Sequence, residues 1–203
     1  MKGFCNLVKS IEINEVTISE ETWQRTAAEE LVHPTPFPVL KHRMPEQKPG
    51  RSRQDYCTPD ELLMAIKKRL CIKEFAIDLA ADHHNHVAPL YYTEEQDALK
   101  QNWNIGAGWA FCNPPFAAIA PWVKKAVQEA GKGAQTVMLL PASVGANWFT
   151  EYVEPYAYVS YLNPRLVFKG AADPYPKDTM LLFYTPWGFT GHKVWLWSAD
   201  AEQ

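Results

Sequence analysis

The stretch of this sequence whose residue types point most directly to chemistry is Asn113-Pro114-Pro115-Phe116. Two successive prolines remove two backbone donors and fix φ, so the carbonyls of the segment are held in set directions. Asn113 contributes a side-chain carbonyl acceptor and Phe116 a flat aromatic face. Together they suit the gripping of an amino group attached to a planar ring. One N–H of that amine would reach the Asn113 amide oxygen and the other the Pro114 carbonyl, with Phe116 stacked on the ring. A rigid strand-to-helix turn with no ligand is the other reading the tetrapeptide leaves open.

The tetrapeptide follows Trp109-Ala110-Phe111-Cys112, an apolar run of strand type. In open α/β sheets ligands bind beyond the carboxyl ends of the strands, which is where this turn falls. Other strand candidates are Phe75 to Leu79, Pro89 to Thr93, Thr136 to Leu140, Tyr158 to Leu162, Leu166 to Lys169, Met180 to Tyr184 and Val194 to Trp197. Thr58-Pro59-Asp60-Glu61 has the composition of a helix start, with Thr58 as N-cap and Pro59 at the first helical position. Leu62, Leu63, Ile66 and Leu70 continue it at helical spacing. Ala117 to Ala130 and Trp148 to Val153 read as two further helices. Strands alternating with helices predict an α/β fold: a mostly parallel sheet with helices on both faces and an antiparallel C-terminal edge.

The chain has 203 residues, 47% of them hydrophobic and 21% charged, with a formal net charge of −3. That composition excludes wholesale disorder and a protein that holds nucleic acid by bulk positive charge. No apolar run approaches the roughly 20 residues of a membrane span, and no signal-peptide core forms near the start, so a soluble, non-secreted, cytoplasmic protein is expected. Cys5, Cys57, Cys71 and Cys112 contain no CxxC pair, which fits reduced thiols better than disulfides or zinc. Residues 1–54 read as an N-terminal extension and 55–203 as the main domain. Within the extension Ser19 to Val32 has the pattern of a short helix, and a proline-rich arm follows. Along that arm Lys41, Arg43, Lys48, Arg51 and Arg53 face one acid, Glu46, which suits either a solvated linker or contacts to phosphates.

Asn113 to Phe116 resembles the Asn/Asp-Pro-Pro-aromatic motif of amino methyltransferases that use S-adenosylmethionine. Thr58-Pro59 resembles the segment that cradles the cofactor's methionine end, and Asp78-Leu79-Ala80-Ala81 resembles the first cofactor loop. Asp97, followed by Leu99 and lying sixteen residues before Asn113, resembles the aspartate that binds the adenine amino group of the cofactor. Leu139-Leu140-Pro141-Ala142 with Trp148-Phe149, then Arg165 with Phe168, resembles the tail pattern of the phage-type DNA N6-adenine methyltransferases. The likeness spans roughly residues 55–185.

The resemblance implies a Rossmann-like class I methyltransferase that moves a methyl group from S-adenosylmethionine to the N6 amine of a flipped adenine in double-stranded DNA. It implies catalytic roles for Asn113, Pro114, Pro115 and Phe116. Cofactor contacts would come from Tyr56, Thr58, Pro59, Asp78, Leu79, Ala80, Ala81, Asp97, Ala98 and Asn113. DNA contacts are expected from Arg165 and the basic arm. Host cytoplasm is the implied location if the chain is phage-encoded.

The sequence departs from the superfamily in having no glycine between Thr58 and Gly106. Asp82 or Asn85 is expected to take the left-handed turn that glycine would supply. Glu94 and Glu95 are candidates for the ribose-binding acid. His83, His84 and His86 lack a completing thiol or carboxylate set, so no metal is expected. Neither loop after the tetrapeptide has room for a separate recognition domain, which predicts a short or relaxed target sequence. Methylation of an RNA base or a protein glutamine, and a catalytically inactive cofactor- or DNA-binding module, are the competing readings. The oligomeric state is left open.

Overall fold

The computed structural model describes residues 56–106 and 108–198. The Ser19 to Val32 segment and the arm bearing Lys41, Arg43, Lys48, Arg51 and Arg53 lie outside the described residues. The described residues form an α/β fold with one six-stranded sheet: β1 (Ile77–Asp78), β2 (Trp109–Cys112), β3 (Gln135–Pro141), β4 (Ala157–Asn163), β5 (Thr179–Tyr184) and β6 (Gly191–Leu196). The spatial order is β1-β2-β3-β5-β4-β6. Among the described residues three helices accompany it: α1 (Asp60–Leu70), α2 (Ile119–Ala130) and α3 (Asn147–Tyr152).

The sheet is mixed. β1, β2 and β3 pair in parallel, as do β4 and β6, whereas β5 is antiparallel to both β3 and β4. The reversed strand is therefore interior, which corrects the expectation of an antiparallel C-terminal edge. Burial explains the placement. Every residue of β5 is buried, as a central strand covered on both faces requires, while β6 is exposed at all positions except Trp195 and takes the edge.

Alternation along the strands divides the core into two faces. Phe111, Val137, Leu139, Leu181 and Phe183 pack with Leu62, Leu63, Ala65 and Ile66 of α1. Cys112, Met138, Leu140, Met180 and Leu182 face the other way, onto Ile119, Val123 and Ala126 of α2 and the part-buried Trp148 and Phe149 of α3. Each such fully buried aliphatic or aromatic side chain contributes about 1.5–3 kcal/mol relative to exposure.

Three local expectations are revised. Thr58 does not cap α1: the helix begins at Asp60 with extended Pro59 as its N-cap and no side-chain cap bond, because the Thr58 hydroxyl is engaged elsewhere. Pro89 to Thr93 makes an isolated parallel bridge, Asp78 with Tyr91, instead of a full strand. Leu166 to Lys169 is not a strand, since its backbone partners are Cys57 and Tyr175 and not a ladder. Between β1 and β2 the regular structure among the described residues is one 3₁₀ turn, Ala98–Lys100. A connection this long is uncommon in a compact domain unless it serves a site.

Candidate active site

β1 ends at Asp78 and β2 at Cys112, so the loops after two adjacent parallel strands open side by side. They border a cavity of about 750 Å³. Tyr56, Thr58, Asp78, Leu79, Ala80, Ala81, Asp97, Ala98 and Asn113 all line it, as do both Glu94 and Glu95. Pro59 does not line it, and of the tetrapeptide only Asn113 and Pro115 do. Five carboxylates face this cavity (Asp78, Asp82, Glu94, Glu95 and Asp97), and among the described residues no lysine or arginine lines it. A cavity so lined favours a cationic ligand.

The orientation of Asn113 follows from its partners. Its Nδ2 donates to the Tyr56 carbonyl at 2.6 Å and to Thr58 Oγ1 at 3.1 Å. A backbone carbonyl is an acceptor only, so the amide must present nitrogen to it. Both amide N–H groups are thereby used, and among the described residues none donates to Oδ1. The side chain is half-buried, so its free acceptor sits in a partly desolvated place where a hydrogen bond counts for more than in water. Cys112, just before it, is fully buried, and burial with the nearby Asp78 pushes its thiol well above the ordinary value. It stays a neutral thiol, a poor nucleophile.

Asp78 organises the first loop. Its Oδ1 accepts from Ala80 N–H at 3.2 Å and its Oδ2 from Val87 N–H at 3.0 Å. Burial pushes its carboxyl up to about 6, even though those two N–H groups and His86 pull the other way. Neither Asp82 nor Asn85 takes the expected left-handed conformation. Asp82 Oδ1 instead accepts from the N–H groups of His84 and Asn85, at 2.7 and 2.9 Å, closing the turn without positive φ. The left-handed residue lining the cavity is Asp97, at φ 49°, whose Oδ1 accepts from Leu99 N–H and whose Oδ2 pairs with Lys100 at 2.8 Å. The hydrogen bond from Lys100 holds the Asp97 carboxyl below its ordinary value.

Phe116 lies behind Asn113 in a group of four rings. Its centroid is 5.8 Å from those of Tyr56 and Tyr175 and 6.2 Å from that of Phe168. The sequence reading missed Tyr175; the signal available was an aromatic set between Pro174 and Pro176 in an otherwise polar loop. Arg165 is exposed and bound to Asp178 at 2.8 Å, with a weaker bond to the Pro176 carbonyl. His83 and His86 turn toward Tyr91, His86 stacking on it at 4.3 Å. Among the described residues no three His, Cys, Asp or Glu side chains gather as a metal site, and no helix is long and apolar enough to cross a membrane.

Comparison with known proteins bears on this arrangement. Residues 46–192 match the family model described as DNA N-6-adenine-methyltransferase (Dam). A DNA N-6-adenine-methyltransferase of Escherichia phage T1 is 29% identical over 146 residues, which is 72% of this chain and 59% of that protein. One from Haemophilus phage HP1 (strain HP1c1) is 28% identical over 120 residues, 56% of this chain and 68% of that protein. The matched region thus spans under two thirds of the T1 relative's length. The family match takes in α1, the cavity, Asn113 to Phe116, the first five strands and the start of β6, and on it the chain belongs to the DNA N-6-adenine-methyltransferase family.

Proposed function

We propose that this protein methylates the exocyclic N6 amine of adenine in DNA, with S-adenosylmethionine as the methyl donor, on a Rossmann-like framework. The observation that carries the proposal is the Asn113 amide, locked by Tyr56 and Thr58 so that its oxygen is the group left to accept, at the border of an acid-lined cavity. Family membership supports adenine as the substrate. The parallel strands β1 to β3, with helices on both faces and the cavity beyond their carboxyl ends, support the framework.

The residues lining the cavity fit the donor. Its volume of about 750 Å³ falls in the usual range for a cofactor pocket. Its carboxylates match the positive charge of a sulfonium and an ammonium. Tyr56, Thr58, Asp78, Leu79, Ala80, Ala81, Asp97 and Ala98 would hold it, and Glu94 or Glu95 would take the ribose. When bound, S-adenosylmethionine supplies a methyl group activated by attachment to sulfonium.

Adenine's amine is a weak nucleophile because its lone pair is delocalised into the ring. The Asn113 Oδ1 and the Pro114 carbonyl accept its two N–H bonds and draw the nitrogen toward tetrahedral geometry. As positive charge grows on nitrogen these bonds strengthen, so they stabilise the transition state more than the ground state. The fixed amide needs no reorientation during the reaction, since Tyr56 and Thr58 already hold it. A paired adenine cannot reach such a site, so the base is flipped from the duplex, and Phe116 with the rings behind it replaces part of the lost stacking.

The test is expression in a strain devoid of adenine methylation, followed by mapping of modified bases across the genome. N6-methyladenine at a short recurring sequence is expected. Unmodified DNA, together with methyl transfer to RNA or protein in a parallel assay, would overturn the proposal.

A further inference from the structure

The cavity wall formed by Asp97 and Ala98 has little regular structure of its own and is held from behind. The Ala98 carbonyl accepts the indole Nε1–H of Trp103 at 2.8 Å and also the Gln101 N–H at 3.1 Å. Trp103 is 1% exposed, and its backbone N–H donates to Glu129 Oε2 at 3.1 Å. Glu129, on α2, is wholly buried. Its Oε1 accepts from Lys125 and Lys132, each at 2.8 Å. The neighbouring Asn104 Nδ2 reaches the Lys132 carbonyl at 2.6 Å, a second tie to the end of the same helix. The Trp103 ring lies 6.2 Å from that of Trp122, which lines the cavity.

Burying a carboxylate is expensive, and even a well-paired buried ion is often no better for stability than an apolar residue of the same volume. For Glu129 that cost is offset by Lys125, Lys132 and the Trp103 N–H, which together hold its carboxyl below the ordinary value. Its carboxylate does what an apolar side chain cannot: it fixes the Trp103 N–H, and through the indole the Ala98 carbonyl, in one place.

We infer that Trp103 and Glu129 are positioning residues that fix the backbone of Asp97 and Ala98 for binding S-adenosylmethionine. The inference rests on the methyl-donor reading of this cavity. Neither side chain lines the cavity, so they act through Ala98 and not by contact with the ligand.

The experiment measures S-adenosylmethionine affinity by calorimetry, with KM and kcat alongside, for the full chain and three variants. Trp103→Phe keeps a buried aromatic body and deletes the N–H. Trp197→Phe is the control: its Nε1–H also donates to a backbone carbonyl, that of Pro164 at 2.8 Å, so the same bond type is lost elsewhere. Glu129→Leu removes the acceptor of the Trp103 N–H together with the lysine pairing, at similar volume. Trp103→Phe is expected to raise Kd and KM about five- to tenfold, the effect of one net hydrogen bond, with kcat at saturation unchanged. Trp197→Phe is expected to leave Kd at the wild-type value.

Wild-type affinity in folded Trp103→Phe, or equal losses in the two tryptophan variants, would overturn the inference. If Trp103→Phe does not fold, Glu129→Leu decides: a Kd raised severalfold supports the role and an unchanged one refutes it. Wild-type protein that fails to bind S-adenosylmethionine would instead overturn the reading of the cavity.

Discussion

Asn113 Nδ2 lies 2.6 Å from the carbonyl oxygen of Tyr56, a residue 57 positions earlier in the chain. This bond distinguishes nitrogen from oxygen at one end of the amide. Asn113→Asp would set a carboxylate oxygen against the Tyr56 carbonyl, two acceptors with no proton between them. The Asn/Asp-Pro-Pro-aromatic motif that the tetrapeptide resembles allows either residue, but the Tyr56 carbonyl selects the amide. The variant is expected to lower the thermal midpoint by several degrees, consistent with about 1–3 kcal/mol for an unsatisfied buried group. Its methylation rate is expected to fall at least about a hundredfold. Thermal melts and a methylation assay check both outcomes.

Phe116→Ala removes contacts to Tyr56, Phe168 and Tyr175 as well as a stacking face. Ring pairs of this kind contribute about 0.5–1.5 kcal/mol each, and base stacking about 1–3 kcal/mol. The variant should lose stability and base capture together, while Phe116→Tyr retains both. Urea unfolding alongside binding to DNA containing an abasic site opposite the target separates the two effects.

The place of the tetrapeptide at the end of β2, and most of the strands, could be read from residue types because both depend on local sequence. Apolar runs such as Trp109 to Cys112 and Thr136 to Leu140 had few other places to go. The reversal of β5 was not legible: a run apolar on both faces satisfies a central position in either direction. Thr58 looked like a helix cap because a threonine before Pro-Asp-Glu usually is one. Its hydroxyl instead meets Asn113, 55 residues away, a contact no local pattern encodes. The same holds for Glu129, whose helical spacing gave no sign that its carboxylate is buried against Trp103, 26 residues earlier.

Asp78 gives a pH dependence. Its folded carboxyl is raised from 3.8 to about 6, chiefly by burial, so between these values the folded state holds more protons than the unfolded one. Stability from this group falls as pH rises through that window and is recovered on acidification. A cationic ligand favours the ionised form, so S-adenosylmethionine affinity should weaken below about pH 6, by up to about tenfold per unit. Calorimetry between pH 5 and 7.5, compared with Asp78→Asn, checks this: the variant should show a flatter profile.

Arg165 is exposed and paired with an equally exposed Asp178, an arrangement worth at most about 1 kcal/mol to the fold. Arg165→Ala should therefore leave the thermal midpoint nearly unchanged. If Arg165 contacts a phosphate, the variant weakens DNA binding at all sequences and reduces the salt slope by about one. A salt titration of DNA affinity is the measurement.

The central claim is that the fixed Asn113 oxygen receives the amine and promotes its reaction. The most direct test is single-turnover methylation by Asn113→Ala, with S-adenosylmethionine affinity measured on the same preparation. The rate is expected to drop by about a hundred- to a thousandfold while the cofactor still binds within a few-fold of wild type. A folded variant that methylates adenine at the wild-type rate would contradict the account.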